Sequence, residues 1–115
     1  MITKGIRGAI TVDDNSSEAL KYATLQLLNE LFIQNNINKE LISHIIFTTT
    51  SDLNADFPAK FARINFGLTE TAMMCFHELD VPNSLPMCLR ILIVLNCEDD
   101  FVPQFVYLKG ASNLR

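Results

Sequence analysis

The sequence contains few of the residues on which most enzymatic chemistry depends. Its 115 residues include two histidines, three cysteines, four glycines and no tryptophan. The glycines form neither a phosphate-binding loop nor a GxSxG motif, and the cysteines include no CxxC pair. With so few histidines, a serine–histidine or cysteine–histidine nucleophile has little support. The odd number of cysteines argues against a disulfide framework and favours a reducing compartment.

Positive charge and long apolar runs are also scarce. Nine basic and thirteen acidic residues give a formal net charge of −4, and the basic residues do not cluster. We therefore expect no nucleic-acid partner. No apolar segment approaches the ~20 residues of a membrane helix, and residues 1–5 lack the apolar h-region of a signal peptide. We expect no membrane partner.

Apolar residues are abundant for so short a chain. They make up 49% of the sequence, and 115 residues suffice for one domain but not for two. We expect a single domain over residues 1–115. Because a small monomer cannot easily hide so much apolar surface, the composition also favours an oligomer.

Periodicity predicts an α+β protein. Alternating and β-branched segments predict strands at residues 4–12, 44–50, 70–76, 88–95 and 104–109. A 3.6-residue repeat predicts a helix that ends near Asn35, capped by Asn15 with Glu18 reaching back, and a shorter helix covers residues 57–67. This order of elements predicts one sheet with helices packed on one face.

Arg90 is a charged residue in a segment that is otherwise apolar. It lies in the run 88–95, in which every other residue is apolar, so that strand should be central. Burying a guanidinium is costly unless an anion meets it. Either Glu78 is that anion in a structural pair, or Arg90 lines a pocket for an anionic ligand.

Other cations suggest the same kind of ligand. Arg7 alternates with small residues on the first strand, which leaves space beside it, and Lys60 and Arg63 share one face of the short helix. Each of these has a plain alternative as a solvated surface charge. Together with Glu78, Cys75 and Tyr107 they suit a small dianion that carries a hydroxyl. No second ligand pair at metal spacing accompanies Cys75 and His77.

These residues are spaced as in a known family. The matching segments are Gly5–Ala9 with Thr11–Val12, Asp52–Leu53, Phe57–Lys60, Arg63, Cys75, Glu78, Asp80–Val81, Cys88, Arg90, Val106–Leu108 and Leu114–Arg115. In order and spacing the chain resembles the small monofunctional AroH-type chorismate mutases. The resemblance implies rearrangement of chorismate to prephenate in phenylalanine and tyrosine biosynthesis, with no cofactor and no metal. It also implies a homotrimeric pseudo-barrel with a mixed sheet and with active sites between subunits.

The resemblance assigns roles residue by residue. Arg90 would meet the ether oxygen and a carboxylate, Arg7 and Tyr107 the side-chain carboxylate, and Glu78 with the Cys75 region the ring hydroxyl, with substrate between Arg90 and Glu78. The neighbouring subunit would supply Phe57, Ala59, Lys60 and Arg63, and the tail residues Leu114 and Arg115 would close the site. A bacterial cytoplasm or, for a plastid-encoded chain, the plastid stroma would be the compartment.

Two alternatives remain open at this stage. RidA-type imine deaminases are small trimers of the same fold with an arginine in an intersubunit cleft, although their signature segment is not found here. A non-catalytic trimeric module could instead bind a carboxylate metabolite without turnover. The turn around Pro82 and Pro86, where the family has a Gly-rich turn, is a departure from the family pattern.

Overall fold

The computed structural model describes residues 1–114 and confirms the α+β class. The elements are β1 (Ile2–Thr11), α1 (Ser17–Asn35), β2 (Ile42–Thr49), α2 (Pro58–Asn65), β3 (Ala72–His77), β4 (Cys88–Cys97) and β5 (Val106–Leu108). Short 3-10 turns occupy Lys39–Leu41 and Lys109–Ala111. None of the helices described in residues 1–114 has the length and apolar character needed to span a membrane.

The five strands form one mixed sheet in the order β3-β2-β4-β1-β5. The apolar strand β4 lies at its centre, as predicted, and pairs antiparallel with both β1 and β2. The outer strands β5 and β3 run parallel to β1 and β2. Arg90 therefore lies in the middle of the sheet, with ladder partners on both sides.

Both helices cover the same face of the sheet. Ile6, Ile10, Phe47 and Ile93 are fully buried there, under apolar side chains of α1 and α2. At Gly8 α1 packs closely on β1, because a Cβ at this position would lie 3.0 Å from Leu31 Cδ1. Burying such side chains stabilises the fold by about 1.5–3 kcal/mol each.

The other face of the sheet, which we call the open face, has no helix over it within residues 1–114. Strand pairing aligns its side chains in rows, because directly opposed residues point to the same side. The open face comprises Arg7, Ala9, Ile46, Thr48, Met74, Phe76, Arg90, Leu92, Val94 and Tyr107. Met74 is 61% exposed and Phe76 46% exposed. An apolar sheet face this accessible is typical of a surface that another subunit covers.

The start of α1 differs from the sequence-based prediction. Ser16, not Asn15, is the N-cap, and its hydroxyl accepts a hydrogen bond from the Ala19 N–H. The Asn15 side chain is engaged elsewhere, since its Oδ1 accepts from the backbone N–H groups of Asn54 and Ala55. Glu18 accordingly has no capping-box role. Asn15 instead fixes the loop that precedes α2.

The turn into β4 is held by one carboxylate. Asp52 accepts a hydrogen bond from the Met87 N–H at 3.0 Å and another from the Thr50 hydroxyl. Met87 has φ of 52°, a left-handed conformation that glycine adopts more readily. Asp52 thus stabilises the bend at Met87, where no glycine is present. Strand β4 begins directly after this bend, at Cys88, two residues before Arg90.

Candidate active site

One row of paired residues crosses the open face and brings the predicted site residues together. Tyr107 pairs with Ala9, Ala9 with Arg90, and Arg90 with Thr48. Ala9 separates the two large side chains, and its small size leaves space between them. A cavity of about 200 Å³ opens along this row. Its polar side chains belong to Arg7, Thr48, Glu78, Arg90 and Tyr107, and Leu114 is among the apolar ones.

Two buried donors in this cavity have no hydrogen-bond acceptor within residues 1–114. They are Nε of Arg90 and the hydroxyl of Tyr107, and among the side chains described they are the two buried polar atoms without a partner. A buried polar group left unpaired costs about 1–3 kcal/mol. Native proteins keep such groups rarely, and a functional role is one of the usual reasons. Both donors belong to residues that line one cavity, which is the arrangement expected for binding an oxygen-rich anion.

Arg90 and Glu78 do approach each other, at 3.5 Å between Nε and Oε2. Their side chains are 38% and 27% exposed, so this is not an ion pair sealed in the core. The two side chains thus contact each other directly beside the cavity that both line. Their placement on either side of a substrate stays a prediction.

Thr48 is a site residue that the sequence did not reveal. Its hydroxyl donates a hydrogen bond to Glu78 Oε2, and the Glu78 N–H donates to the carbonyl of Thr49 at 2.9 Å. These bonds fix the carboxylate beside Arg90. In the sequence Thr48 is one of three consecutive threonines in a β-branched strand, and only the register with β4 shows that it lies opposite Arg90.

The remaining predicted residues fall into two groups. Arg7 is exposed and lines the cavity, as does Leu114 from the C-terminal turn. Arg115 lies outside the described residues. Phe57, Ala59, Lys60 and Arg63 lie on or beside α2 and do not line the cavity. Within one chain, the site is therefore incomplete relative to the prediction.

Cys75 belongs with the second group, because its side chain does not line the cavity beside Glu78. Its role at the ring hydroxyl stays a prediction. Cys75 pairs with the buried Phe47 on β2, so it points to the helix-covered face, and it shares a cleft with Phe57. Burial raises the pKa of the Cys75 thiol, although a backbone hydrogen bond at Ala59 opposes this. Burial likewise raises the pKa of Cys88, despite nearby Arg90. Neither thiol is poised as a thiolate nucleophile.

Asp56 ties the loop before α2 to three partners. Its Oδ2 accepts hydrogen bonds from Lys60 Nζ at 2.8 Å and from the Ser17 hydroxyl at 2.7 Å, and its Oδ1 accepts from the Phe57 N–H at 2.8 Å. The bonds from Lys60, Ser17 and Phe57, in that order of weight, lower the pKa of Asp56 to about 2. The carboxylate is therefore ionised well into the acid range.

We expect Asp56 to stabilise the protein at neutral pH and to lose that effect in acid. Because its folded pKa, about 2, lies below the ordinary value of 3.8, its contribution is complete above pH ~4 and disappears as the pH falls towards 2. Asp56→Asn should thus be less stable than the parent protein at pH 7, with the difference shrinking between pH ~4 and 2. Urea unfolding at several pH values measures this. Asp100→Asn, which removes an exposed carboxylate, is the control, and a pH-independent difference would contradict the prediction.

The chemistry of the cavity is that of holding a small anion. Arginine forks bind carboxylates in a bidentate manner, Tyr107 donates a hydrogen bond and Glu78 accepts one. No group of three potential metal ligands occurs within residues 1–114, and neither histidine lines the cavity. The fold and the cavity together define a small α+β protein with a cavity suited to an oxygen-rich anion, in which no cysteine or histidine of residues 1–114 takes part.

Comparison with known proteins identifies the family. The family model described as chorismate mutase type I matches residues 3–115, and the chain belongs to this family. It is 39% identical over 99% of its length to a protein named chorismate mutase AroH from Thermus thermophilus, covering 94% of that relative. It is 34% identical over its whole length to chorismate mutase AroH from Bacillus subtilis (strain 168), covering 91% of that protein.

A solved structure agrees with these relatives. Chorismate mutase from Clostridium thermocellum Cth-682 matches with a TM-score of 0.89 and 45% identity, covering 94% of this chain and 96% of that one. The family resemblance read from the sequence is confirmed. The imine deaminase and the non-catalytic binding module are not supported.

Proposed function

We propose that this chain catalyses the Claisen rearrangement of chorismate to prephenate, in phenylalanine and tyrosine biosynthesis. The observation that carries the proposal is the convergence of buried, unpaired donors of Arg90 and Tyr107 on one cavity that Arg7 also lines. The family's activity requires such a site, because chorismate is a dianion with a hydroxyl and an ether oxygen. The reaction also needs no nucleophile, which suits a cavity that no cysteine or histidine of residues 1–114 lines.

Arg7 and Tyr107 provide orientation. Arg7 binds the side-chain carboxylate of the substrate, and the Tyr107 hydroxyl, which has no partner in residues 1–114, donates to the same group. Holding the side chain over the ring brings the two reacting carbons together in a compact conformer. Fixing reacting groups in a near-attack geometry can account for several kcal/mol of a reaction barrier.

Arg90 provides the electrostatic part of catalysis. As the C–O bond breaks ahead of C–C bond formation, negative charge builds up on the ether oxygen. The Arg90 guanidinium lines the cavity, and its Nε, which lies 3.5 Å from Glu78 Oε2, makes no hydrogen bond within residues 1–114. This guanidinium is the donor to that oxygen. Because the charge is larger in the transition state than in the substrate, this cation stabilises the transition state selectively.

Glu78 and Thr48 complete this half of the site. Glu78 accepts the hydrogen bond of the ring hydroxyl, while Thr48 and Arg90 hold its carboxylate in place. The Glu78–Arg90 contact also keeps the guanidinium from turning towards solvent. Glu78 thus has two functions, as a substrate acceptor and as an orienting partner of Arg90.

The rest of the site comes from a second copy in a homotrimer with a pseudo-barrel arrangement. Three observations support this proposal. Phe57, Ala59, Lys60, Arg63 and Cys75 do not reach the cavity of their own chain. Phe57 is 70% exposed, although it is an aromatic residue. The open face is apolar around the cavity and needs a partner. We place this trimer, built from a single 1–115 domain, in a bacterial cytoplasm or a plastid stroma, where its three free cysteines stay reduced.

The purified protein should convert chorismate to prephenate without added metal or cofactor. Loss of chorismate absorbance is followed in buffer with and without EDTA, and the molecular mass is measured over the same dilution series. Activity that survives EDTA and falls as the oligomer dissociates is the expected result. Binding of chorismate without turnover would contradict the proposed activity, and a fully active monomer would contradict the shared site.

A further inference from the structure

The contacts of Asp56 involve Lys60 and Phe57, which the proposed function places in the part of the site supplied by a neighbouring copy. We call this part, formed by Phe57, Ala59, Lys60, Arg63 and Cys75, the second half of the site. Asp56 is the acceptor for Lys60 Nζ, and it also binds the Phe57 N–H and the Ser17 hydroxyl at the start of α1. Its side chain is only 15% exposed, whereas that of Lys60 is 43% exposed. The cluster therefore joins the N-termini of both helices and leaves the ammonium group accessible.

Lysine side chains are flexible, and fixing one costs conformational entropy. Lys60 is restrained in two ways before any ligand arrives. Its Nζ is bound to Asp56 at 2.8 Å, and it lies 5.3 Å from the centroid of the Phe61 ring. An ammonium has three donors, so the bond to Asp56 leaves two for another acceptor. A substrate carboxylate would meet a cation that is already in place.

Phe57 depends on the same carboxylate. It is the N-cap residue of α2, and its side chain makes no capping hydrogen bond. Asp56 supplies an acceptor for its backbone N–H, while Asn15 holds the preceding residues 54 and 55. The exposed Phe57 ring is thus set by an anchored backbone.

We infer that Asp56, supported by Ser17, is a positioning residue for substrate binding, which holds Lys60 and Phe57 ready for the ring and the ring carboxylate of chorismate. This inference rests on the proposed function, in which both residues face the cavity of a neighbouring copy. Asp56 acts through Lys60 and does not touch the reacting atoms.

Two effects of Asp56 on affinity oppose each other. Its negative charge weakens the attraction of Lys60 for an anion, and its hydrogen bond preorganises Lys60 for that anion. An anion would approach Lys60 from its accessible side, where solvent and salt screen the more distant charge of Asp56, whereas the cost of ordering a free lysine is met in full at binding. The preorganisation should therefore prevail, and loss of Asp56 should raise KM. The kcat should change little, because Arg90 lies in the other half of the site.

A double-mutant cycle tests this inference. We expect Asp56→Asn to raise KM about three- to tenfold with nearly unchanged kcat, and Lys60→Gln to raise it about tenfold. In the Lys60→Gln background, Asp56→Asn should change KM by less than about twofold, since the two act as a unit. Ser17→Ala keeps the ion pair and should raise KM by about twofold or less. Asp100→Asn is the matched control for loss of one carboxylate.

The possible failures are distinct. If Lys60→Gln raises KM and Asp56→Asn leaves KM unchanged or lowers it, the inference is overturned and the proposed site stands. If the two variants have independent effects that multiply in the double variant, Asp56 does not act through Lys60, and the inference is again wrong. If Lys60→Gln leaves KM unchanged, Lys60 is not in the site, and both the inference and the placement of Lys60 in the shared site fall, whereas the proposed reaction at Arg90 is not affected. Thermal unfolding and mass measurements on every variant show whether a change in KM comes from a folding or assembly defect. Ser17→Ala is the second variant, because it weakens the cluster and keeps the ion pair between Asp56 and Lys60.

Discussion

Arg90→Ala should lower kcat for chorismate conversion by at least about 10²–10³-fold, the loss typical for one preorganised donor to a developing oxyanion. The expected loss is larger in kcat than in KM, because the charge on the ether oxygen is greatest in the transition state. Arg90→Lys should recover only part of the rate. A lysine restores the charge, but it does not reproduce the planar fork of donors that Arg90 presents beside the cavity.

The Arg90 variants need a folding check and a charge control. Because the Arg90 and Glu78 side chains are both partly exposed, the lost pair should have only a small effect on thermal unfolding. Lys21→Ala removes one positive charge from the exposed side of α1 and serves as the control. An Arg90→Ala protein that is folded and retains kcat within about threefold of the parent would show that electrostatic stabilisation by Arg90 is not the source of the rate.

Arg90 could be predicted from the sequence because the signal was local. A lone arginine in a run of seven apolar residues must either find an anion or line a pocket. The sequence also predicted that its strand would be central, because a strand covered on both faces has little polar content. The structure confirms both the strand and its position. Its pairing with Glu78 and its place beside the cavity were open alternatives, and the structure contains elements of both.

Thr48 and Asp56 could not be predicted because their roles depend on distant partners. Thr48 becomes a site residue through the register of β2 against β4. Asp56 lies in a polar loop, and its partner Ser17 is 39 residues away. The N-cap error has the same origin. Asn15 and Ser16 are both good capping residues, and the choice depends on the loop at residues 54–55 that occupies Asn15.

The resemblance grouped the Cys75 region with Glu78 at the ring hydroxyl. That role stays a prediction, but the side-chain directions of Cys75 and Glu78 could have been compared from the sequence. Alternation along β3 separates them. Cys75 pairs with Phe47 and points to the helix-covered face, whereas Phe76 pairs with Thr48 and points to the open face, and Glu78 is two residues after Phe76. A strict period-two reading of residues 72–77 would have placed Cys75 with α2 and Phe57.

Two variants with little activity at low substrate concentration should regain activity when they assemble together. Arg90→Ala impairs the first half of each site, and the double variant Lys60→Ala/Arg63→Ala impairs the second half by removing both of its cations. In a mixed trimer one interface joins two intact halves, so an equal mixture that assembles at random contains about a quarter of the wild-type number of sites. Each variant alone should have almost no activity at low substrate concentration.

This complementation is the most direct test of the central claim, which is that Arg90 acts in a site completed by α2 of another copy. The two variants are unfolded together, refolded and assayed, and each variant is also refolded alone. Wild type mixed equally with Arg90→Ala is the control, and it should retain about half of the wild-type activity. Recovery of about a quarter of the wild-type kcat/KM is the predicted result. A refolded mixture of confirmed trimers that stays as inactive as its parents would contradict the shared site.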